Sequence, residues 1–448
     1  MVAVEGLDDR ERFPAVSDDG LRFLDRLRQH PHAPRYNLRT GDRLTTDAVA
    51  RVKAYEERQH RTEPRWTYQD PPDWLADWID RCLTLVPVYR SRGAKGSRLE
   101  DISTVSRADL AAAPWSFVPD DVDLSDLMVY YTSGTTGKPV HVLSHPEASA
   151  KKLALYRKAA RAHGTDFDGV PGRVAIAFVC AQKSTLTYAT ISTYLSEAGV
   201  VKINLNPAEW NDPADAARFL DDIDPEICTG DPVSFAAMAD LPVHIRPKAL
   251  VSSAMAVLPA TRKRLEERFG CPVVDVYSLC ETGPIACARG DVYPILPDDI
   301  IVEILDPSGR RCEPGETGEI TITGGRNPFL PLLRFRTGDT AALDWIDGHP
   351  VLTQLMGRSP VIFVRPDGGL VNNIDVATVL RPYPIVQFAL HQHADHSLRL
   401  GLRGGNSAHE EIRRAMLDLF GAGATLTIEP IPADEWKVVP YSSDVPHA

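Results

Sequence analysis

The sequence predicts an α/β protein: a large N-terminal domain of mixed and parallel sheets flanked by helices, with a β-rich subdomain, and a small mobile α+β C-terminal lid. Three observations predict it. First, from about residue 126 to Tyr277 short apolar runs alternate with helix-like segments, the pattern of a largely parallel sheet. Second, from Asp299 the pattern changes. Ile300–Leu305 and Glu319–Thr323 read as strands around the turn Pro314-Gly315-Glu316-Thr317-Gly318, a β-rich subdomain. Third, a shorter block follows Gly357-Arg358 and has the size of a separate lid. The length of 448 residues and the apolar fraction of 43% allow two or three domains with a substantial core. The expected divisions are a helical or irregular segment over 1–100, a core domain over 101–357 and a lid over 358–448.

Taken in order, the first hundred residues are polar and rich in Arg, Asp and Pro. Within them Trp74 through Leu85 carries helical apolar spacing. Leu127-Met128-Val129-Tyr130-Tyr131 is a short apolar run that ends at a glycine loop. Glu147 to Ala162 reads as a helix and Val174 to Val179 as a buried strand. Val200 to Asn204 is a strand and Ala214 to Ile223 a helix. Ala249 to Ser252 is a strand, Pro259 to Phe269 a helix and Pro272 to Tyr277 a strand. In the lid, Pro366-Asp367-Gly368-Gly369 marks a hairpin, with helices near Ile374–Leu380 and Glu410–Phe420. Parallel sheets bind ligands beyond the carboxyl ends of their strands. The glycine loop after Tyr131 and the segment Tyr277-Ser278-Leu279-Cys280-Glu281 both fall at such ends.

Composition excludes several classes. A net charge of -12 argues against a nucleic-acid binder that relies on neutralising phosphates. Seven cysteines, odd in number and without a C-x-x-C pair, point to a reduced, cytoplasmic protein without a disulfide frame or zinc motif. The acidic N-terminus lacks the apolar core of a signal peptide. The longest apolar stretch, Val174 to Ala181, is far short of a membrane span.

The chemistry concentrates in Thr132-Ser133-Gly134-Thr135-Thr136-Gly137-Lys138. Hydroxyls and backbone N–H groups donate to phosphate oxygens, glycines admit the anion closely, and Lys138 adds positive charge. Walker A spacing is absent: two residues separate Gly134 from Gly137, and Pro139 follows the lysine. Proline there opposes immediate helix continuation. Taken alone, such a stretch is more often a polar surface loop.

Its order with Tyr277–Glu281, Arg336-Thr337-Gly338-Asp339 and Gly357-Arg358 resembles the acyl-adenylate-forming (AMP-binding) superfamily. Leu85-Val86-Pro87-Val88-Tyr89-Arg90, Ile102 to Leu110, Tyr293 to Asp299 and Pro331 to Asp339 resemble its phenylacetate–CoA ligase branch. The resemblance spans roughly residues 75 to 440. It implies that Thr132 to Lys138 hold the β- and γ-phosphates of ATP, and that Tyr277 faces adenine; as a bare residue, Tyr277 reads as well as a core tyrosine. It implies that Glu281 helps hold Mg²⁺, that Asp339 binds the ribose hydroxyls, and that Arg358 contacts the nucleotide at a hinge. Ser253, Ala254, Ser278 and Cys280 complete the implied nucleotide set. Lys437, the only lysine after Lys263, is the candidate for charge stabilisation at the α-phosphate. The implied acid pocket includes Phe178, Ala181, Lys183 and Tyr188. Lys183 reads either as a partner for substrate or as a surface lysine.

The chain departs from the pattern. Ser278 and Cys280 stand where relatives usually carry Gly and Thr. Pro360, with its fixed φ, stands where many carry a hinge acid or lysine. Arg365-Pro366-Asp367-Gly368-Gly369 lacks the Arg-Gly pair of the loop that forms a pantetheine tunnel in relatives. The implied activity is ATP-dependent, AMP-forming activation of an aromatic or related small carboxylic acid, followed by transfer to coenzyme A. Alternatives are an amine or carrier-protein acceptor, nitrite activation for diazotisation of an aryl amine, or a catalytically degenerate nucleotide-binding module. No nucleic-acid or membrane partner is expected, and a homodimer is compatible with the branch.

Overall fold

The computed structural model describes residues 6–92, 98–131, 140–358, 361–433, 435 and 438–445. Its central sheet has seven strands, in the order Gly283–Cys287, Val273–Leu279, Ala249–Ser252, Ile227–Gly230, Val174–Cys180, Ala198–Asn204 and Tyr188–Ser192. The inner pairings are parallel and the outermost pairing on each side is antiparallel. The inner strands are β-branched and apolar because helices cover both faces. On one face Phe219, Leu220, Phe235, Leu265 and Phe269 pack against Val273 and Leu250. On the other, Ala150, Ala154 and Leu155 of helix Pro146–Arg161 meet Val251 and Val274.

Local chemistry sets the boundaries of these elements. Asp231 accepts from the Ser234 N–H at 2.9 Å and so starts helix Pro232–Ala239. Gly270, with φ of 69°, ends helix Pro259–Phe269 in the left-handed conformation that glycine adopts without a Cβ penalty.

The second sheet runs Tyr293–Pro294, His349–Arg358, Leu332–Ile346, Thr317–Gly324 and Ile300–Leu305, with Val105–Ser106 added parallel to Leu332–Ile346. Two small strands, Met128–Tyr131 and His141–Ser144, pair antiparallel and bracket the glycine loop, whose residues 132–139 lie outside the described residues. The first hundred residues include helices Asp18–Arg28, Thr46–Arg61 and Trp74–Leu85, which pack on the rest of the chain. Trp74 and Trp78 donate their indole N–H groups to the carbonyls of Asp298 and Leu332, each at 2.9 Å.

The C-terminal part has its own core around Leu390, Leu400, Ile412 and Met416. Its sheet runs Leu426–Pro430, Leu398–Gly404, Ile385–Gln392 and Tyr441–Ser443, with helices Asn373–Leu380 and His409–Phe420. The hairpin expected at residues 366–369 joins Ile362–Val364 to Leu370–Asn372. Strand Ile385–Gln392 faces the helices of the central sheet: Thr261 donates to the Ile385 carbonyl at 2.7 Å, and Val386 packs with Val233 and Ala236.

Several strands escaped the sequence reading, Tyr188–Ser192 and His349–Arg358 among them. Tyr188–Ser192 is an antiparallel edge strand whose alternation is short and mixed with hydroxyls. His349–Arg358 is paired with the longer Leu332–Ile346 across Asp347-Gly348, both at positive φ. That Asp-Gly pair is a hairpin signal the sequence did contain.

One buried ion pair joins the two sheets. Arg326 pairs with Asp299 at 2.7 Å and also bonds the carbonyl of Thr282. Burial opposes the Asp299 charge, but Arg326 and the Tyr55 hydroxyl hold its pKa below the ordinary value. A depressed carboxylate adds stability above the unfolded-state pKa of about 4 and loses it as pH falls through the folded value. Asp299→Asn is therefore expected to cost about 3 kcal/mol at pH 7, because it strands a buried guanidinium. In denaturant titrations the deficit relative to the parent chain shrinks as pH is lowered below about 4.

Candidate active site

Of the residues singled out from sequence, Tyr277, Asp339 and Glu281 come together near the carboxyl end of the central sheet. Tyr277 lies near the end of strand Val273–Leu279, and its hydroxyl donates to Asp339 Oδ2 at 2.9 Å. Burial, with the Asp339 carboxylate beside it, holds the phenol well above its ordinary pKa, so it stays a neutral donor. Asp339 is placed by a tight bend in strand Leu332–Ile346. Gly338 has φ of 83°, its N–H donates to Glu319 at 3.0 Å, and Thr337 donates to the Ile320 carbonyl at 2.9 Å. Across the ladder the backbone of Arg358 pairs with Asp339, while its side chain lies outside the described residues.

Two residues beyond strand Val273–Leu279, Glu281 is fully buried. One carboxylate oxygen is ion-paired with Arg107, and the other, Oε2, is buried with no hydrogen-bond partner among the described residues. A buried, half-satisfied carboxylate is costly unless something else completes it. Its hard oxygen suits a cation such as Mg²⁺.

Helix Pro146–Arg161 lays a polar stripe along this corner. The Ser149 and Tyr130 hydroxyls are 2.7 Å apart, which ties the helix to a strand that brackets the glycine loop. Lys152 passes its stem over Gly283, donates from Nζ to the Cys280 carbonyl at 3.1 Å, and sits 5.5 Å from the centre of the Tyr130 ring. Burial lowers its pKa. The buried Tyr156 side chain lies close to Ser253 and Ser278, two expected nucleotide residues. Beside Ser253, Ala254 has φ of 73°, a strained backbone for a residue with a Cβ. Cys280 is exposed and in no disulfide.

The expected acid-pocket residues divide. Phe178 and Tyr188 stand level with Lys202 on neighbouring strands, and so share one face of the sheet. Lys202 Nζ lies 4.9 Å from the centre of the Phe178 ring, and Tyr130 and Cys180 lie close to Tyr188. Ala181 is held through its N–H by Ser234 Oγ at 3.0 Å. Lys183 is exposed in the following loop, and its carbonyl accepts from Asn206.

Thr132 to Lys138, Pro360 and Lys437 lie outside the described residues. The tail before Lys437 is nonetheless fastened: Arg403 donates to the carbonyls of Pro432 and Glu435 at 2.8 and 2.7 Å. Asp231, just past strand Ile227–Gly230, lies in the electrostatic range of Arg403. Sequence reasoning gave no role to Arg107, Ser149, Lys152, Tyr156 or Lys202. The helical spacing of Ser149, Lys152 and Tyr156 on an otherwise Ala-rich helix was the available signal.

Residues 76–327 match the family model described as AMP-binding enzyme. A phenylacetate-coenzyme A ligase from Pseudomonas putida is 24% identical over 71% of this chain and 74% of its own length. A phenylacetate-coenzyme A ligase from Escherichia coli is 30% identical over 38% of each chain. Among solved structures, 2-hydroxyisobutyryl-CoA ligase in complex with 2-HIB-AMP superposes with a TM-score of 0.59 at 18% identity, covering 89% of this chain and 90% of that one, which is a likeness of fold. No helix among the described residues is long and apolar enough to cross a membrane. The chain is similar to phenylacetate-coenzyme A ligases, belongs to the AMP-binding enzyme family and is an AMP-forming ligase.

Proposed function

We propose that this ligase activates an aromatic or related small carboxylic acid as its acyl-adenylate and passes the acyl group to coenzyme A. The observation that carries the reading is the Glu281 corner. A buried carboxylate with one oxygen unpartnered among the described residues sits at the sheet end that also holds the Tyr277–Asp339 pair. Phe178, Lys202 and Tyr188, on one sheet face and linked to the corner through Tyr130, supply an aromatic wall with a cation for the acid. The P. putida and E. coli phenylacetate-coenzyme A ligases point to the same substrate class and acceptor.

In this reading residues 101–357 form the adenylating core and 358–448 the lid. Asp339, oriented by the neutral Tyr277 hydroxyl, accepts from the ribose hydroxyls. Thr132 to Lys138 hold the β- and γ-phosphates, with Ser253, Ala254, Ser278, Cys280 and Arg358 around the nucleotide. A carboxylate oxygen of the acid attacks the α-phosphorus, the bond to the β-phosphate oxygen breaks, and pyrophosphate leaves. Lys437 stabilises the charge on the α-phosphate during attack. Bound at Glu281, Mg²⁺ would supply compensation of phosphate charge. Lys152 keeps the Cys280–Gly283 turn in place, so that Glu281 stays aimed at the phosphates. The CoA thiolate then attacks the acyl carbon and releases AMP.

Carboxylate-dependent ATP–pyrophosphate exchange across a panel of aryl acids tests the first step, and mass spectrometry of products with CoA tests the second. Exchange with at least one aryl acid and a CoA thioester of the same acid are expected; ADP as the nucleotide product refutes the reading. Lys437→Ala should lower the adenylation rate by about 100-fold or more while ATP still binds, measured by single-turnover AMP formation and calorimetry. Glu281→Gln should raise the Mg²⁺ concentration giving half-maximal exchange by about tenfold or more. Lys152→Met keeps the stem over Gly283 but removes the donor. It should cost about 10- to 100-fold in exchange kcat/KM, the range for a lost charged hydrogen bond, with an unchanged melting profile.

A further inference from the structure

The C-terminal sheet carries a group of side chains that the adenylating reaction does not use. His391 and His393 are two residues apart on and just beyond strand Ile385–Gln392, a spacing that directs both to one face. Strand Tyr441–Ser443 runs parallel beside it, with His391 level with Ser442 and Gln392 level with Ser443. The next residue is Asp444, whose N–H donates to the Gln392 carbonyl at 2.8 Å. Three facts converge there. His391 Nε2 is 3.1 Å from Asp444 Oδ2. The His391 and His393 rings stand edge to face, with centres 4.5 Å apart. One nitrogen from each histidine and one oxygen of Asp444 all lie within 4.8 Å of one another.

We propose that His391, His393 and Asp444 form a binding site for a divalent transition-metal ion of the zinc class, which fastens the strand Tyr441–Ser443 to the small sheet. Two imidazoles and one carboxylate are a borderline donor set that suits Zn²⁺ better than Mg²⁺ or Ca²⁺. Metal–ligand bonds of about 2.0–2.2 Å need ligand atoms about 3.3 Å apart, a closure within reach of small side-chain rotations from the observed spread. A further contact belongs to metal sites: His391 Nδ1 is 2.9 Å from Ser442 Oγ, so the nitrogen not facing Asp444 is already held. The neighbouring Arg399, level with His391 on strand Leu398–Gly404, is paired with Glu429 at 2.8 Å, on the side away from the site. Without the ion the edge strand has three ladder positions and an ion pair with a largely exposed Asp444. The ion closes a bridge between two strands that are about fifty residues apart in sequence. It also anchors the segment after Lys437, while Arg403 holds the segment before it.

The test uses the full chain, stripped with a chelator and held in excess Mg²⁺ to fill magnesium-preferring sites. Zn²⁺ titration by calorimetry is expected to show one equivalent bound with micromolar or tighter affinity. His393→Ala and Asp444→Asn should each weaken that binding at least tenfold, and Cys280→Ala should leave the isotherm unchanged. Hydrogen exchange of residues 441–445 should slow on adding Zn²⁺ to the parent chain and not to His393→Ala. Circular dichroism checks folding of each variant, and His391→Gln replaces any that fails to fold. Zinc binding that survives the histidine and aspartate substitutions, or disappears with Cys280→Ala, overturns the proposal. So does a 441–445 exchange rate indifferent to zinc.

Discussion

The guanidinium of Arg326 holds the two larger sheets in a single relation. It is almost wholly buried, pairs with Asp299 at the entry to the second sheet, and reaches the Thr282 carbonyl at the corner of the first. A charge in such a place is tolerated only with every donor used. The Asp299 end is held in turn by the Tyr55 hydroxyl at 3.1 Å, which comes from the N-terminal helix Thr46–Arg61. Three regions far apart in sequence thereby meet within one hydrogen-bonded group. Thr282 follows Glu281 directly, so the position of the site carboxylate is set by the packing of both sheets.

The same corner is gripped from the other side by helix Pro146–Arg161. Ser149 reaches the glycine-loop strand, Lys152 the turn at Cys280, and Tyr156 the serines 253 and 278. One helix thus registers three separate pieces of the proposed nucleotide-facing surface against each other. Rigid placement of this kind suits a reaction whose catalytic work is mainly the alignment and neutralisation of phosphate oxygens. Arg334 makes a parallel clamp deeper in the second sheet, pairing with the buried Glu303 at 3.0 Å beneath the strand that carries Asp339.

Much of this was legible in the sequence, for physical reasons that can be named. The inner strands read clearly because they are buried on both faces, as at Val174–Cys180 with its near-continuous apolar run. Helix Pro146–Arg161 was read to within a residue at each end, since a proline and a strong run of helix formers mark it. Tyr277, Asp339 and Glu281 were singled out through motif order, and their meeting is a tertiary fact that spacing alone does not contain. The pairing of Arg107 with Glu281 spans 174 residues and has no local signature. Lys152 was hidden for a different reason: a lysine on a helix ordinarily reads as solvated, and only the glycine opposite it creates the space for its stem. Lys183, by contrast, stands exposed in a loop, and the cation beside Phe178 is Lys202.

That glycine bears on how sequences in this branch can drift. A methyl group at position 283 would come within 2.6 Å of the Lys152 side chain, and its φ of 76° already disfavours any other residue. Neither member of the pair can be exchanged for a bulkier neighbour while the other stays as it is. A library that varies the two sites independently would therefore discard most of its useful members, whereas one that varies them jointly keeps open the routes by which this corner could be reshaped for a different acid.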